Sequence, residues 1–162
     1  THVPCTTLFR SNDARMNRLN KKTKQTNYTI EALKNTKEKQ TWLLITEGWC
    51  GDAAQIAPVI NKMSLESDKV ALKVVLRDEN EDLMNQFLTN GSRSIPKLVV
   101  LNEENEVVSS WGPRPSIVTK MVNDYKAKHG GLDADFKRDL QLWYNKNKGE
   151  SIQEDLVSFL KK

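Results

Sequence analysis

The residues best suited to chemistry lie between Trp49 and Ala53, where an apolar run ends and a helical pattern begins. Cys50 supplies the only thiol of this segment. A Cys-x-x-Cys pair beside a βαβ pattern would indicate a dithiol redox site, but the second position is occupied by Ala53. Chemistry in this segment is therefore restricted to one sulfur atom.

The reactivity of that sulfur depends on its surroundings, because a thiol attacks as its thiolate. The unpaired amides at a helix N-terminus stabilise an anion and lower the pKa of a cysteine placed there. Asp52 opposes this effect, since its carboxylate competes for the same amides and repels a thiolate. We therefore expect the pKa of Cys50 to be lowered only modestly. The alternative is a buried and inert cysteine.

Periodic patterns predict the elements that position this segment. The apolar run predicts a strand over 42–46, and the helix after it buries residues at spacings of three and four. The pattern predicts further strands over 70–76, 97–101 and 106–111, and helices over 29–40, 81–89 and 115–128. We expect an α/β fold in which a mixed sheet of four to five strands has helices on both faces.

The two ends of the chain differ from this central pattern. Residues 1–28 are polar and predict an N-terminal extension with a short helix over 12–19, and residues 29–130 form the main domain. Residues 131–162 predict a C-terminal helical appendage, with helices over 133–147 and 151–160. Because the sequence begins at Thr1, we expect that an upstream segment has been removed.

Three features occur in a specific order along the central part of the chain. Trp49-Cys50-Gly51 stands at the strand-to-helix junction, Pro58 lies inside the helix that follows, and Ile95-Pro96 directly precedes the predicted hairpin. In this order they resemble the thioredoxin-like family, in particular its atypical bacterial members that have Trp-Cys-Gly-Asp and no resolving cysteine.

The resemblance implies a thioredoxin fold with a cis peptide bond before Pro96. Cis peptides occur almost only before proline and tend to lie in tight turns, which agrees with that expectation. The resemblance also implies that Cys50 is the catalytic residue and that a substrate groove surrounds it. The groove residues are Trp49, Gly51, Asp52, Ile95 and Pro96.

Two positions depart from the dithiol members of the family. Ala53 stands at the position of the resolving cysteine, and Leu44 stands where those proteins have a buried acid. Three outcomes remain for Cys50. It exchanges with protein or low-molecular-weight disulfides as a monothiol reductase, with a small thiol such as glutathione or bacillithiol as co-substrate, or it holds a partner in a mixed disulfide. In the third, the fold is a redox-inactive module that binds peptides or proteins.

Two proline-containing segments allow two interpretations each. Pro58 predicts a bend near Ala54, which either sets the angle of the active-site turn or only fits the helix to the sheet. Arg114, between Pro113 and Pro115, either contacts an anionic group or belongs to a rigid turn before the next helix, and we favour the turn.

Composition restricts the remaining classes of function. The net charge of +4 is spread along the chain, so we expect no nucleic-acid binding, and no apolar run is long enough to predict a membrane span. Two distant cysteines indicate a reducing compartment, the cytoplasm, and Cys5 is expected to be a free surface thiol rather than a distant resolving thiol. We expect a monomer with no metal and no bound cofactor.

Overall fold

The computed structural model describes residues 5–160, with only the backbone described for residues 5–9. Helices and strands alternate through most of this range. A single 3-10 turn, Arg77–Glu79, follows β2. In chain order the elements are α1 (Cys5–Lys22), α2 (Asn27–Lys34), β1 (Gln40–Thr46), α3 (Gly51–Ser64), β2 (Val70–Leu76), α4 (Glu81–Asn85), β3 (Lys97–Leu101), β4 (Val107–Trp111), α5 (Ser116–His129), α6 (Ala134–Asn147) and α7 (Glu150–Val157).

The four strands form one mixed sheet in the order β2-β1-β3-β4. β1 runs parallel to β2 and antiparallel to β3, and β3 pairs with β4 as a hairpin. Leu44 of β1 lies opposite Val74 on one side and Leu98 on the other. This arrangement confirms the predicted α/β class with a mixed sheet of four strands.

Alternate residues of β1 supply two separate cores, which explains why this strand is apolar on both faces. Trp42 and Leu44 pack into the larger core, against α2, α3, α5, α6 and α7. Ile45 packs into a smaller core on the opposite face, with Met84 of α4 and Val99 of β3. The predicted helical layers on both faces of the sheet are therefore present.

Several predicted helix ends were wrong, including both ends of each of the first two helices, and two of the errors have a local cause. α2 begins earlier than the predicted residue 29 because Thr26 is its N-cap, and the Thr26 hydroxyl accepts a hydrogen bond from the Thr29 amide at 3.1 Å. α4 ends before Thr89 because Thr89 and Ser92 exchange backbone hydrogen bonds of 2.9 and 3.0 Å across a turn. The N-terminal helix is longer than predicted.

The helices at the two ends of the chain pack against the central elements. α1 lies against α3. At the start of α7, a Cβ atom on Gly149 would lie 2.6 Å from a methyl group of Val59 in α3, so glycine permits the close approach. The buried side chain of Gln153 bonds to the Lys24 carbonyl and to the Thr26 amide. The division at residues 28 and 130 stays a prediction.

No helix within residues 5–160 has both the length and the apolar character that a membrane span requires.

Candidate thiol site

Cys50 caps the N-terminus of α3 with its own side chain. The residue has extended backbone geometry, and its Sγ atom accepts a hydrogen bond from the Ala53 amide at 3.5 Å. The Cys50 thiol also donates to the carbonyl oxygen of Ile95 at 3.5 Å. The sulfur is half-buried and lies between the first turn of α3 and the loop before β3.

The loop that leads into Cys50 is held from both sides. Asn12 of α1, which is buried, donates to the Gly48 carbonyl at 3.0 Å. On the other side, the buried carboxylate of Glu47 accepts a hydrogen bond from the Asp78 amide at 2.8 Å. α1 therefore contributes directly to the placement of the thiol.

Trp49 lies beside the thiol at the edge of the smaller core. The guanidinium group of Arg77 stands over its indole ring, 4.9 Å from the ring centroid. This contact is a cation–π geometry that holds the ring in place.

The peptide bond between Ile95 and Pro96 is cis, which confirms the prediction. A second cis bond, Gly112-Pro113, was not predicted. Gly112 has φ of +112°, and a Cβ atom on it would lie 2.3 Å from the Pro96 carbonyl oxygen. Only glycine allows the two loops to approach this closely, and the contact brings Arg114 towards the first turn of α3.

Asp52 is the centre of a cluster that joins three elements. Arg114 donates to its Oδ2 atom from Nε at 3.0 Å and from Nη2 at 2.8 Å, and Tyr144 of α6 donates to Oδ1 at 3.0 Å. The exposed fractions of the Asp52 and Arg114 side chains are 13% and 23%. Burial, and next the charge of Asp52, raise the pKa of Tyr144 far above its ordinary value, so the phenol remains a hydrogen-bond donor.

The expectation that the pKa of Cys50 is lowered overall was wrong, although the amides of the helix N-terminus act in the expected direction. Burial of the sulfur is the largest influence and raises the pKa above its ordinary value. The Ala53 amide acts in the opposite direction, the carboxylate of Asp52 raises the pKa further, and the positive charge of Arg114 lowers it. Desolvation therefore outweighs the helix amides, as occurs when a charged form must be buried.

α6 covers the first turns of α3 with polar side chains. Gln55 of α3 donates to Gln141 at 3.0 Å and to Asn145 at 3.4 Å. Arg18 of α1 also donates to Asn145, at 2.8 Å. Gly51 faces the same helix, because a Cβ atom added there would contact the Gln141 amide nitrogen at 3.6 Å. The C-terminal helices thus form one wall of the thiol site.

A cavity of about 310 Å³ borders Cys50 on the side facing α1 and β2. Its walls are mainly apolar, and small side chains of α3 leave much of the space. Its lining includes Met16, Leu44, Ala53, Ala57, Pro58 and Leu72.

The structure brings together most of the residues chosen from the sequence. Cys50, Asp52 and Ile95 meet around the sulfur, whereas Asn12, Gln141 and Tyr144 belong to the site and were missed. Arg114 had been noted as an anion-binding candidate, and the anion it meets is Asp52. No motif marked Asn12 as a site residue.

Among residues 10–160, whose side chains the structure describes, no three His, Cys, Asp or Glu side chains lie close enough together to bind a metal ion. Cys5 is the first residue of α1, but its side chain lies outside the described part of the structure, so its role stays a prediction.

Comparison with known proteins agrees with this geometry. A protein of unknown function from Pseudomonas aeruginosa superposes with a TM-score of 0.70 at 18% identity, over 91% of this chain and 82% of the other. An HIV epitope-scaffold protein superposes with a TM-score of 0.68 at 17% identity, over 91% and 83% of the two chains. At such identities the likeness shows the fold alone.

A family model described as thioredoxin matches residues 6–126, which include nearly all of α1 and most of α5. The chain therefore belongs to the thioredoxin family. At the level of that family, its function is thiol–disulfide redox chemistry.

Proposed function

We propose that this protein exchanges disulfides with Cys50 as its sole nucleophile and forms long-lived mixed disulfides with its partners. The main supporting observation is the position of the sulfur, which caps α3 within 3.5 Å of the Ile95 carbonyl while an alanine follows at position 53. Trp49, Gly51, Asp52, Ile95 and Pro96 form the proposed groove for the disulfide.

The proposed reaction has one thiol–disulfide step. The Cys50 thiol loses its proton to solvent, and the thiolate attacks one sulfur of a protein or low-molecular-weight disulfide. One S–S bond breaks and another forms, and the departing sulfur leaves as a thiolate that takes up a proton. No net oxidation occurs in this step.

Release of the partner requires a second thiol from outside the site. A small thiol such as glutathione or bacillithiol attacks the mixed disulfide, with Cys50 as the leaving group. A thiol of raised pKa leaves slowly, and the raised pKa of Cys50 therefore favours a lasting mixed disulfide over rapid turnover. The proposal assumes a monomer in a reducing compartment such as the cytoplasm, with no bound cofactor.

A second candidate is a redox-inactive module that binds peptides or proteins. The same raised pKa of Cys50 favours this alternative, because little thiolate is present at neutral pH. The two candidates differ in whether the sulfur exchanges at all.

The discriminating experiment is incubation of the reduced protein with oxidised glutathione, followed by mass spectrometry of the intact chain. We expect one glutathione to be added at Cys50, faster at pH 9 than at pH 7 because the thiolate fraction rises. We expect added dithiothreitol to release glutathione from Cys50 more slowly than it releases glutathione from the mixed disulfide of an unfolded cysteine peptide. If Cys50 remains unmodified across that pH range, the exchange function is wrong and the binding module is favoured.

A further inference from the structure

We propose that Arg114 and Tyr144 are positioning residues that control the Cys50 thiol through Asp52. They turn the Asp52 carboxylate away from the amides of the first turn of α3 and offset its negative charge. The role of these residues in catalysis rests on the proposed exchange chemistry of Cys50, whereas their effect on the pKa of Cys50 does not.

The hydrogen bonds define where the carboxylate is directed. An aspartate in the first turn of a helix commonly accepts from the free backbone amides there. In this protein, both oxygens of Asp52 instead bond to side chains from other elements, Arg114 on Oδ2 and Tyr144 on Oδ1. The Ala53 amide is thus left for the sulfur of Cys50.

The ion pair between Asp52 and Arg114 is sufficiently shielded from solvent to influence the pKa of Cys50. Asp52 and Arg114 are both mostly covered, and their two contacts share one carboxylate oxygen at 2.8 and 3.0 Å. Charges in such a partly buried place are screened less by water and salt than exposed pairs. Removal of the guanidinium would leave a carboxylate two residues from the sulfur with one hydrogen-bond donor, the phenol of Tyr144.

Charged and titratable groups face this site from every surrounding element. Asp52 lies on α3 itself, Arg114 on the loop before α5, and Tyr144 on α6. Further groups near the site are Glu47 in the loop after β1, bonded to the Asp78 amide; Arg77 after β2, above Trp49; and Arg15 and Arg18 of α1, bonded to Asn12 and Asn145.

The test measures the pKa of Cys50 from thiolate ultraviolet absorbance, as the difference between each variant and the same variant with Cys50→Ser. This readout does not require exchange activity. We expect Asp52→Asn to lower the pKa of Cys50 by roughly 0.5–1 unit, and Arg114→Gln to raise it by a similar amount. Shifts of the Cys50 pKa in opposite directions are diagnostic. If the ion pair between Asp52 and Arg114 were only structural, both variants would loosen it and would shift the pKa of Cys50 in the same direction.

Two further variants make the coupling specific. In the Asp52→Asn background, Arg114→Gln should have less than half of its effect in the native background, since it acts through the carboxylate. Arg114→Lys keeps the charge and should raise the pKa less than Arg114→Gln. As a matched control, Arg138→Gln removes an arginine from the exposed pairs with Asp135 and Asp139 on α6, and should leave the pKa of Cys50 unchanged.

The outcomes separate this inference from the proposed function. If the predicted order of pKa values appears but Cys50 forms no mixed disulfide, the inference stands and the exchange function fails. If Asp52→Asn and Arg114→Gln shift the pKa in the same direction, or neither shifts it, the inference is overturned even when exchange occurs. Should Arg114→Gln not fold, Arg114→Lys against Asp52→Asn provides the same test of opposite signs.

Discussion

Ala53 determines whether this thiol site can release a bound partner on its own. Its side chain is buried and lies on the wall of the cavity beside Cys50, and its amide donates to the Cys50 sulfur. A thiol at this position would stand one helical turn from Cys50, and the adjoining cavity offers space for the added sulfur. A methyl group at this position cannot release a mixed disulfide.

The substitution Ala53→Cys should therefore create a dithiol site. We expect disulfide reductase activity in the insulin reduction assay that is at least about tenfold above the native protein, since attack within the same turn replaces attack by an external thiol. Ala53→Ser has nearly the same volume without the sulfur and serves as the control. Equal activities for the two variants would show that the groove does not admit a protein disulfide.

The sequence alone identified the residues of this site that belong to a contiguous motif. Cys50 and Asp52 lie in one short segment, and Pro96 directly precedes a strand with a clear apolar pattern. Tyr144 and Arg114 reach Asp52 from 92 and 62 positions along the chain. Such contacts depend on how helices pack and cannot be inferred from periodicity. The pKa of Cys50 was misjudged for the same reason, because burial was unknown.

Among the elements, α5 depends on a side chain from α7 for its N-terminal cap. The N-cap residue Pro115 has no side-chain hydrogen bond to offer. Asp155 replaces it, since its carboxylate accepts from the Ser116 amide at 2.8 Å and from the indole nitrogen of Trp111 at 2.9 Å. The Asp155 carboxylate thus connects α7 to both β4 and α5 through hydrogen bonds.

Asp155→Ala should lower the free energy of unfolding by about 2 kcal/mol, because it removes a helix cap and leaves the mostly buried Trp111 indole without its acceptor. Urea unfolding followed by circular dichroism measures this. Asp124→Ala is the matched control, since its exposed pair with Lys120 should be worth less than about 0.5 kcal/mol. If the two variants lose equal stability, Asp155 does not have the capping role assigned to it.

The bounds of a helix or strand could be predicted where the local sequence pattern was strong. β2 and β3 were predicted with their observed bounds, because apolar and β-branched runs between turn residues leave few alternatives. The ends of α2 and α4 were not, because each is decided by a competing hydrogen bond, at Thr26 and at Thr89. Helix ends of this kind are inherently uncertain from sequence.

For the whole molecule, the Cys50 thiol and the Tyr144 phenol make the free energy of unfolding fall at alkaline pH. The pKa values of Cys50 and Tyr144 are both raised in the folded protein, mainly by burial. The unfolded chain therefore loses these protons first, at pH values near the ordinary pKa of each group. The stability that the protonated groups provide is complete below those values and declines as the pH rises through them towards the raised, folded values.

We expect the free energy of unfolding to fall above about pH 9, with Tyr144 contributing about 1.4 kcal/mol per pH unit once the unfolded tyrosine is ionised. Tyr144→Phe should be less stable at neutral pH, through loss of the bond to Asp52, but should have a flatter alkaline slope. Urea unfolding at a series of pH values measures both effects. Identical slopes for the native protein and the variant would contradict the buried, protonated state of Tyr144.

The central claim is that one sulfur, Cys50, performs the disulfide exchange of the thiol site. The most direct measurement is the stoichiometry and location of mixed disulfides formed with oxidised glutathione, mapped by peptide mass spectrometry on the native chain and on the Cys5→Ser and Cys50→Ser variants. We predict that Cys5→Ser retains the adduct at Cys50 at the native rate and that Cys50→Ser carries glutathione only on the free thiol of Cys5. An adduct confined to Cys5, or no adduct on the Cys5→Ser chain, would contradict the account.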